Sequence, residues 1–191
     1  MKKIFALLLP CLFLLTACGD GVQTAENIQT QYARLNSADM AAKVICHLNG
    51  ETRSYELNCT VTTDGASTTV TAPEELAGIT ATVTSDGLTV TYDGTSLSAG
   101  DLTDVCPANC LPYLLNAIAD GYLLEQDTED FNGVSCYRMA LDTTAGSGEK
   151  VLCTVWIDAE TLIPRYAEFA QDDTVFLTAE LTAFQCTVTE E

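Results

Sequence analysis

The chain is 191 residues long, 47% apolar, with 27 acidic against 8 basic side chains and 9 cysteines. That length fits one domain of roughly 100–200 residues, and the apolar share is far above that of a disordered acidic chain, so a buried core can form. Lys2 and Lys3 hold two of the eight basic charges, which leaves six against 27 acids beyond residue 17, a net −21; phosphate binding needs clustered Lys and Arg, so nucleic acid is excluded as a partner, and an unaided approach to anionic headgroups is repelled.

Met1, Lys2 and Lys3 form a short positive region before an apolar run over residues 4–15 that only Pro10 interrupts. A bilayer core about 30 Å thick needs roughly 20 helical residues, so this run is too short to span and has the form of a secretory signal over residues 1–17. Leu15-Thr16-Ala17-Cys18 resembles the lipobox of bacterial lipoproteins. The resemblance implies cleavage before Cys18, a diacylglyceryl group on its thiol and a lipidated tether over residues 18–24. Two acyl chains, at about 0.8 kcal/mol per buried CH₂, anchor stably where one does not, and the acidic remainder leaves lipid to hold the chain at the membrane. The expected location is extracytoplasmic, anchored in the cell membrane or envelope.

Ala25, Ile28, Tyr32 and Leu35 recur at helical spacing, which predicts an amphipathic helix over residues 25–36. From Met40 the chain alternates, with many Thr and Val and recurrent Asp-Gly or Asn-Gly pairs, the form of antiparallel hairpins. A strand over 42–48 turns at Asn49-Gly50 into 53–60. A turn at Asp64-Gly65 sets Cys59 opposite Val70 and Val61 opposite Thr68; one at Asp86-Gly87 sets Val83 opposite Val90 and Ala81 opposite Tyr92. Leu111, Leu114, Leu115, Ile118 and Tyr122 then follow helical spacing, with Gly121 where a helix would end. Strands resume over 134–141, 151–158, 165–170 and 175–184. A three-residue turn at Asp172-Asp173-Thr174 pairs Phe169 with Leu177 and Ala167 with Ala179. Eight or so strands must bury one face against the two amphipathic helices, which predicts an α+β domain over residues 25–191.

Within this order, Trp156-Ile157-Asp158-Ala159-Glu160-Thr161-Leu162-Ile163-Pro164 resembles the W-[IF]-D-x-x-T-x-L-P hairpin of the LolA/LolB superfamily of outer-membrane lipoprotein-sorting proteins, with Ile163 intervening before Pro164. The resemblance implies a strongly curved antiparallel sheet, an unclosed half-barrel, wrapped over the N-terminal helix and a short internal lid helix, with an apolar cavity for acyl chains. Arg53 lies, beside a turn, in the region where the family's carriers show a functional Arg; architecture and ligand class are what carry over. An acyl-chain site needs a dry concavity and a movable cover. Leu111, Leu114, Leu115 and Ile118 are the candidate lid, and Val83, Val90, Tyr92, Val155, Ile157, Phe169 and Leu177 the candidate walls. The expected function is that of a lipid-anchored binding protein for an acyl chain, lipoprotein or other hydrophobic ligand; the alternative is an envelope sensor or structural lipoprotein that contacts a protein partner without a ligand.

Enzyme chemistry finds little support. The seven cysteines after Cys18 are odd in number, so at most three intramolecular disulfides form. Cys106-Pro107-Ala108-Asn109-Cys110 lacks the C-x-x-C spacing of redox or metal motifs and has no basic neighbour in sequence. His47 is the single histidine and sits in a strand with no elbow motif. The acids show no calcium-loop spacing. No metal, cofactor or catalytic residue is expected.

Overall fold

The computed structural model describes residues 24–48, 50–100 and 104–189. The signal segment, Cys18 and the first part of the tether lie outside them. Two helices, α1 (Ala25–Ala33) and α2 (Cys110–Asp120), accompany eleven strands: β1 (Leu35–Leu48), β2 (Glu51–Thr62), β3 (Gly65–Ala72), β4 (Thr80–Thr84), β5 (Gly87–Tyr92), β6 (Thr95–Gly100), β7 (Tyr122–Phe131), β8 (Val134–Thr144), β9 (Lys150–Asp158), β10 (Pro164–Gln171) and β11 (Thr174–Val188). They form one antiparallel sheet in the order β6-β5-β4-β3-β2-β1-β11-β10-β9-β8-β7. The first and last strands meet in its middle, and β6 and β7 are its two edges. This is the expected α+β half-barrel, an unclosed antiparallel sheet with two helices.

The concave face carries the core. Ala38, Met40, Ala42, Val44 and Cys46 alternate inward along β1, and Val151, Cys153, Val155 and Ile157 do so along β9. Small residues line the middle of the floor: Ala42, Ala167 and Ala179 are at most 2% exposed. Thr24 caps α1, its hydroxyl accepting from the Asn27 amide at 3.3 Å. The helix is shorter than the spacing suggested, because Leu35 is drawn into β1 by pairing with Val188. Likewise Tyr122 does not continue α2; it starts β7 and is 73% exposed.

The turns depart from expectation in an instructive way. Thr62 pairs with Gly65 and Thr84 with Gly87, so the loops are Thr63-Asp64 and Ser85-Asp86, and each glycine follows its loop with φ of +145° and +109°. Cys59 therefore faces Thr68 rather than Val70, Val61 faces Ala66, Ala81 faces Val90 and Val83 faces Leu88. A slip of two keeps every side chain on its expected face. At the last hairpin Asp172 and Asp173 form a two-residue turn, both at positive φ, with Gln171 opposite Thr174. A bulge at Phe169/Ala170 adds the missing residue, so Phe169 still meets Leu177 and Ala167 still meets Ala179. A Cβ at Gly65 would collide with the Val83 carbonyl and hold a strained φ. Gly65→Ala is expected to cost about 1–3 kcal/mol in urea unfolding; an unchanged midpoint would contradict this turn.

Candidate functional site

The residues that could form a ligand site surround α2, which lies on α1 and over β2, β8 and β9. Its apolar stripe faces inward: Leu111, Leu114 and Ile118 are fully buried and Leu115 is 6% exposed. Val155, Ile157, Phe169 and Leu177 are fully buried beneath it in the same cluster, and Tyr113 meets the Phe169 ring edge-on at 6.0 Å. The structure thus brings eight of the eleven expected lid and wall residues into one body. The other three stand apart on the β4–β6 wing: Val83 and Val90 are half-buried, and Tyr92 is 52% exposed. Tyr92 ends β5 beyond the last β4–β5 pair, Thr80 with Thr91, and meets Thr95 across the Asp93-Gly94 turn.

The space under α2 is filled by side chains, and the open space lies beside it. One groove of about 420 Å³ runs between α2 and β7–β8, bordered by Tyr113, Asp120 and Thr143. Another, of about 460 Å³, lies between Pro112 and the tips of the β2–β3 and β4–β5 hairpins, with Val83 on its wall. Asn116 borders both, so α2 is flanked by a trench on each side. A third groove of about 310 Å³ holds Cys46, Arg53, Tyr55 and Pro107, and a fourth of about 250 Å³ lies where Tyr32, Leu162, Phe184 and Val188 meet.

Polar ties join the helices to each other and to the sheet. Thr143 donates to the Val151 carbonyl at 2.8 Å and therefore accepts from the Tyr113 hydroxyl at 2.6 Å. Gln29 donates to the Gly121 carbonyl at 2.8 Å, which joins α1 to the end of α2. On α1, the Ala25 amide donates to Gln126 at 2.8 Å and the Tyr32 hydroxyl donates to the Leu162 carbonyl at 2.7 Å. Burial pushes the Tyr32 phenol far above its ordinary pKa, with charge at Cys186 adding to the effect, so it stays protonated and donating.

The hairpin that carried the resemblance is a structural clamp. The Asp158 side chain is 6% exposed; its Oδ1 accepts from the Glu160 and Thr161 amides at 3.0 Å each, and its Oδ2 accepts from Arg165 at 2.7 and 3.2 Å. Burial alone would raise its pKa, but Arg165 and the two amides outweigh it and hold the carboxyl at about 2. On the same sheet face, turned away from the core, Trp156 packs against Phe131 and Tyr166, which also stack on each other; it donates to Glu129 and lies under Arg138. Arg53, in β2, pairs with Glu51 at 2.8 Å on the surface.

Among the described residues all seven cysteines are free thiols and no group of three or more His, Cys, Asp or Glu side chains could hold a metal ion. Four of the thiols gather at the start of α2. Cys46 and Cys59 come from the sheet, and Cys106 and Cys110 from the loop and first turn of the helix; charge on Cys106 is felt at Cys46 and Cys110, and charge on Cys59 at Cys110. Sequence reasoning missed this meeting because 60 residues separate Cys46 from Cys106 and no spacing motif spans such a loop.

The overall arrangement has counterparts among solved structures. A DUF1329 family protein from Desulfovibrio piger aligns over 89% of this chain and 95% of its own at 13% identity, with a TM-score of 0.51. A Vibrio parahaemolyticus domain described as an outer membrane lipoprotein-sorting protein aligns over 88% and 95% at 12% identity, also with a TM-score of 0.51. An uncharacterized conserved protein from Thermus thermophilus aligns over 88% and 90% at 9% identity, with a TM-score of 0.52. At these identities the likeness is one of fold, and it agrees with the half-barrel that the Trp156–Pro164 segment resembles. No family model matches the chain, and no curated protein does.

Proposed function

We propose that this protein is an extracytoplasmic binding protein that takes an acyl chain or similar apolar ligand beneath α2, and that lipid on Cys18 tethers it to the membrane. One observation carries the reading: a short helix with a wholly apolar inner face covers the concavity of an unclosed sheet and is flanked by open trenches. The Vibrio neighbour's description as a lipoprotein-sorting domain lends support to the ligand class, and the lipobox at residues 15–18 supports the tether.

Magnitudes narrow the ligand. Exposing Leu111, Leu114, Leu115 and Ile118 to water would cost on the order of 6–12 kcal/mol, at about 1.5–3 kcal/mol each. Such a cost rivals the whole stability of a domain, so the ligand must itself cover that face. At about 0.8 kcal/mol per CH₂, roughly a dozen methylenes offset it and about six do not. Long acyl chains are therefore the expected cargo, and binding should fail sharply as the chain shortens.

Lipid extraction and mass spectrometry of the purified protein carrying Cys18→Ser, which has no anchor of its own, should find long-chain acyl lipid. Leu115→Asp places an unpaired carboxylate against that chain and should lower the bound lipid by roughly tenfold or more. An empty protein that also takes up no fluorescent long-chain fatty acid overturns the reading. The filled interior favours a second one, in which the half-barrel is a scaffold for an envelope protein partner; an empty protein that retains such a partner would support it.

A further inference from the structure

Exposure climbs along one row of the concave face. Strand pairing sets Cys59, Thr68, Ala81, Val90 and Leu97 side by side from β2 to β6. Cys59, Thr68 and Ala81 are buried, Val90 is half-buried, and Leu97 at the rim is 68% exposed. Tyr92 follows Val90 on the same face of β5 and is open to water as well. The row starts in the core and runs out of cover at β6, which is a sheet edge.

The backbone of that edge is open too. Asp93-Gly94 is a two-residue turn with both residues at positive φ, the hairpin form in which the flanking pair, Tyr92 and Thr95, exchange hydrogen bonds. Bonding recurs at every second residue, so Thr95 and Leu97 turn their N–H and C=O groups toward β5, and Ser96 and Ser98 turn theirs outward. Sheet edges are ordinarily guarded by charge, proline, a bulge or a cover. The other edge, β7, carries Glu125, Asp127, Glu129 and Asp130. In contrast β6 has neither charge nor proline, and its bulge at Ala99 lies beyond Leu97, near the end of the strand.

Charge decides what fits there. A basic peptide would be drawn to the acids of β7 instead. A second copy of this chain, at net −21 beyond residue 17, is repelled by an acidic surface, and β6 is the edge at which it meets no acid; the nearest in sequence, Asp93 and Asp101, lie beyond its ends.

We infer that two copies pair through β6, antiparallel about a twofold axis, so that one sheet continues into the next. In the register where Ser96 of each copy bonds to Ser98 of the other, Leu97 lies directly opposite its own counterpart. That is a non-hydrogen-bonded position, where Cα atoms approach to about 4.5 Å and side chains touch. The two exposed leucines thereby cover each other on the concave face. So short a seam falls below the roughly 800 Å² a side of a standard interface, so the pairing is weak and reversible. Anchoring through Cys18, part of the reading above, would crowd copies into one membrane plane; the pairing does not depend on it.

Sedimentation equilibrium of the protein carrying Cys18→Ser, from about 10 µM to about 1 mM, should show monomer and dimer with a Kd on the order of 100 µM, tightening several-fold as added salt screens the net charge. Leu97→Lys reduces the negative charge yet removes the apolar contact and sets like charges face to face, so it should weaken the dimer roughly tenfold or more. Leu124→Lys, at an exposed position on β7, should leave it no weaker. Under mild oxidation Leu97→Cys should give a covalent dimer linked through residue 97 of both copies, whereas Ser96→Cys, opposite Ser98 in this register, should not link to itself. A protein still monomeric at about 1 mM overturns the inference, whether β6 is then bare, covered by an acyl chain or paired with a foreign peptide. A dimer that Leu97→Lys leaves intact, or a Leu97→Cys protein that links elsewhere or not at all, overturns it equally.

Discussion

Phe169→Ala should lower the unfolding free energy by about 3–5 kcal/mol and the melting temperature by roughly 10 °C. Phe169 is fully buried at the centre of the concave face, between Leu177 on β11 and Cys153 on β9, with Tyr113 of α2 against its ring. Truncation removes its transfer free energy and leaves a void, because the surrounding strands are pinned by their ladders and cannot close in. The same void lies beneath the proposed lid. A variant that loses this stability and also binds a small aromatic such as benzene would demonstrate dry, fillable space there. A cost below about 1 kcal/mol would mean that the ring is not the keystone its burial implies.

Asp158→Asn should cost about 2 kcal/mol at pH 7 and almost nothing near pH 2. The folded-state pKa of about 2 lies below the usual 3.8, so the native state favours the charged carboxylate. The contribution is therefore fully present above pH 4–5 and disappears as the pH falls through about 2, when folded and unfolded chains both carry the protonated acid. A shift of that size corresponds to about 2 kcal/mol. Urea unfolding of both proteins at pH 7, 4 and 2.5 gives the comparison, since every other acid titrates alike in the two. Parallel curves with a constant gap would rule out the charge as the cause. The Asp158 clamp also shapes the loop whose Leu162 carbonyl receives Tyr32, so the variant should loosen the end of α1 as well.

Hairpins were legible wherever apolar alternation survived, and the faces of the concave strands followed from it. Turn type was not: Asp93-Gly94 and Asn132-Gly133 place both residues at positive φ inside their loops, whereas after Asp64 and Asp86 the glycine closes the loop instead. The same dipeptide serves both geometries, and only the pairing of the flanking strands chooses between them. Strand β6 was invisible because Leu97 is its only large apolar residue, and β7 because an edge strand with Glu125, Asp127, Glu129 and Asp130 has no buried stripe to reveal it. The stripe of α2 foretold its burial but not the density beneath it, since periodicity reports which face turns inward and says nothing of how much room is left. The meeting of Cys46, Arg53 and Cys106 depends on long-range topology that no local spacing encodes.

The junction of β1 with β11 also governs how the molecule comes into being. Two meanders, residues 35–100 and 122–188, can each zip from neighbouring hairpins, yet their union joins Leu35 to Val188, more than 150 positions away along the chain. Closing that seam has a large entropic barrier. A polypeptide emerging amino end first holds one half with an unsatisfied border and a greasy underside until the final strand arrives, the interval in which sticking to strangers is most dangerous.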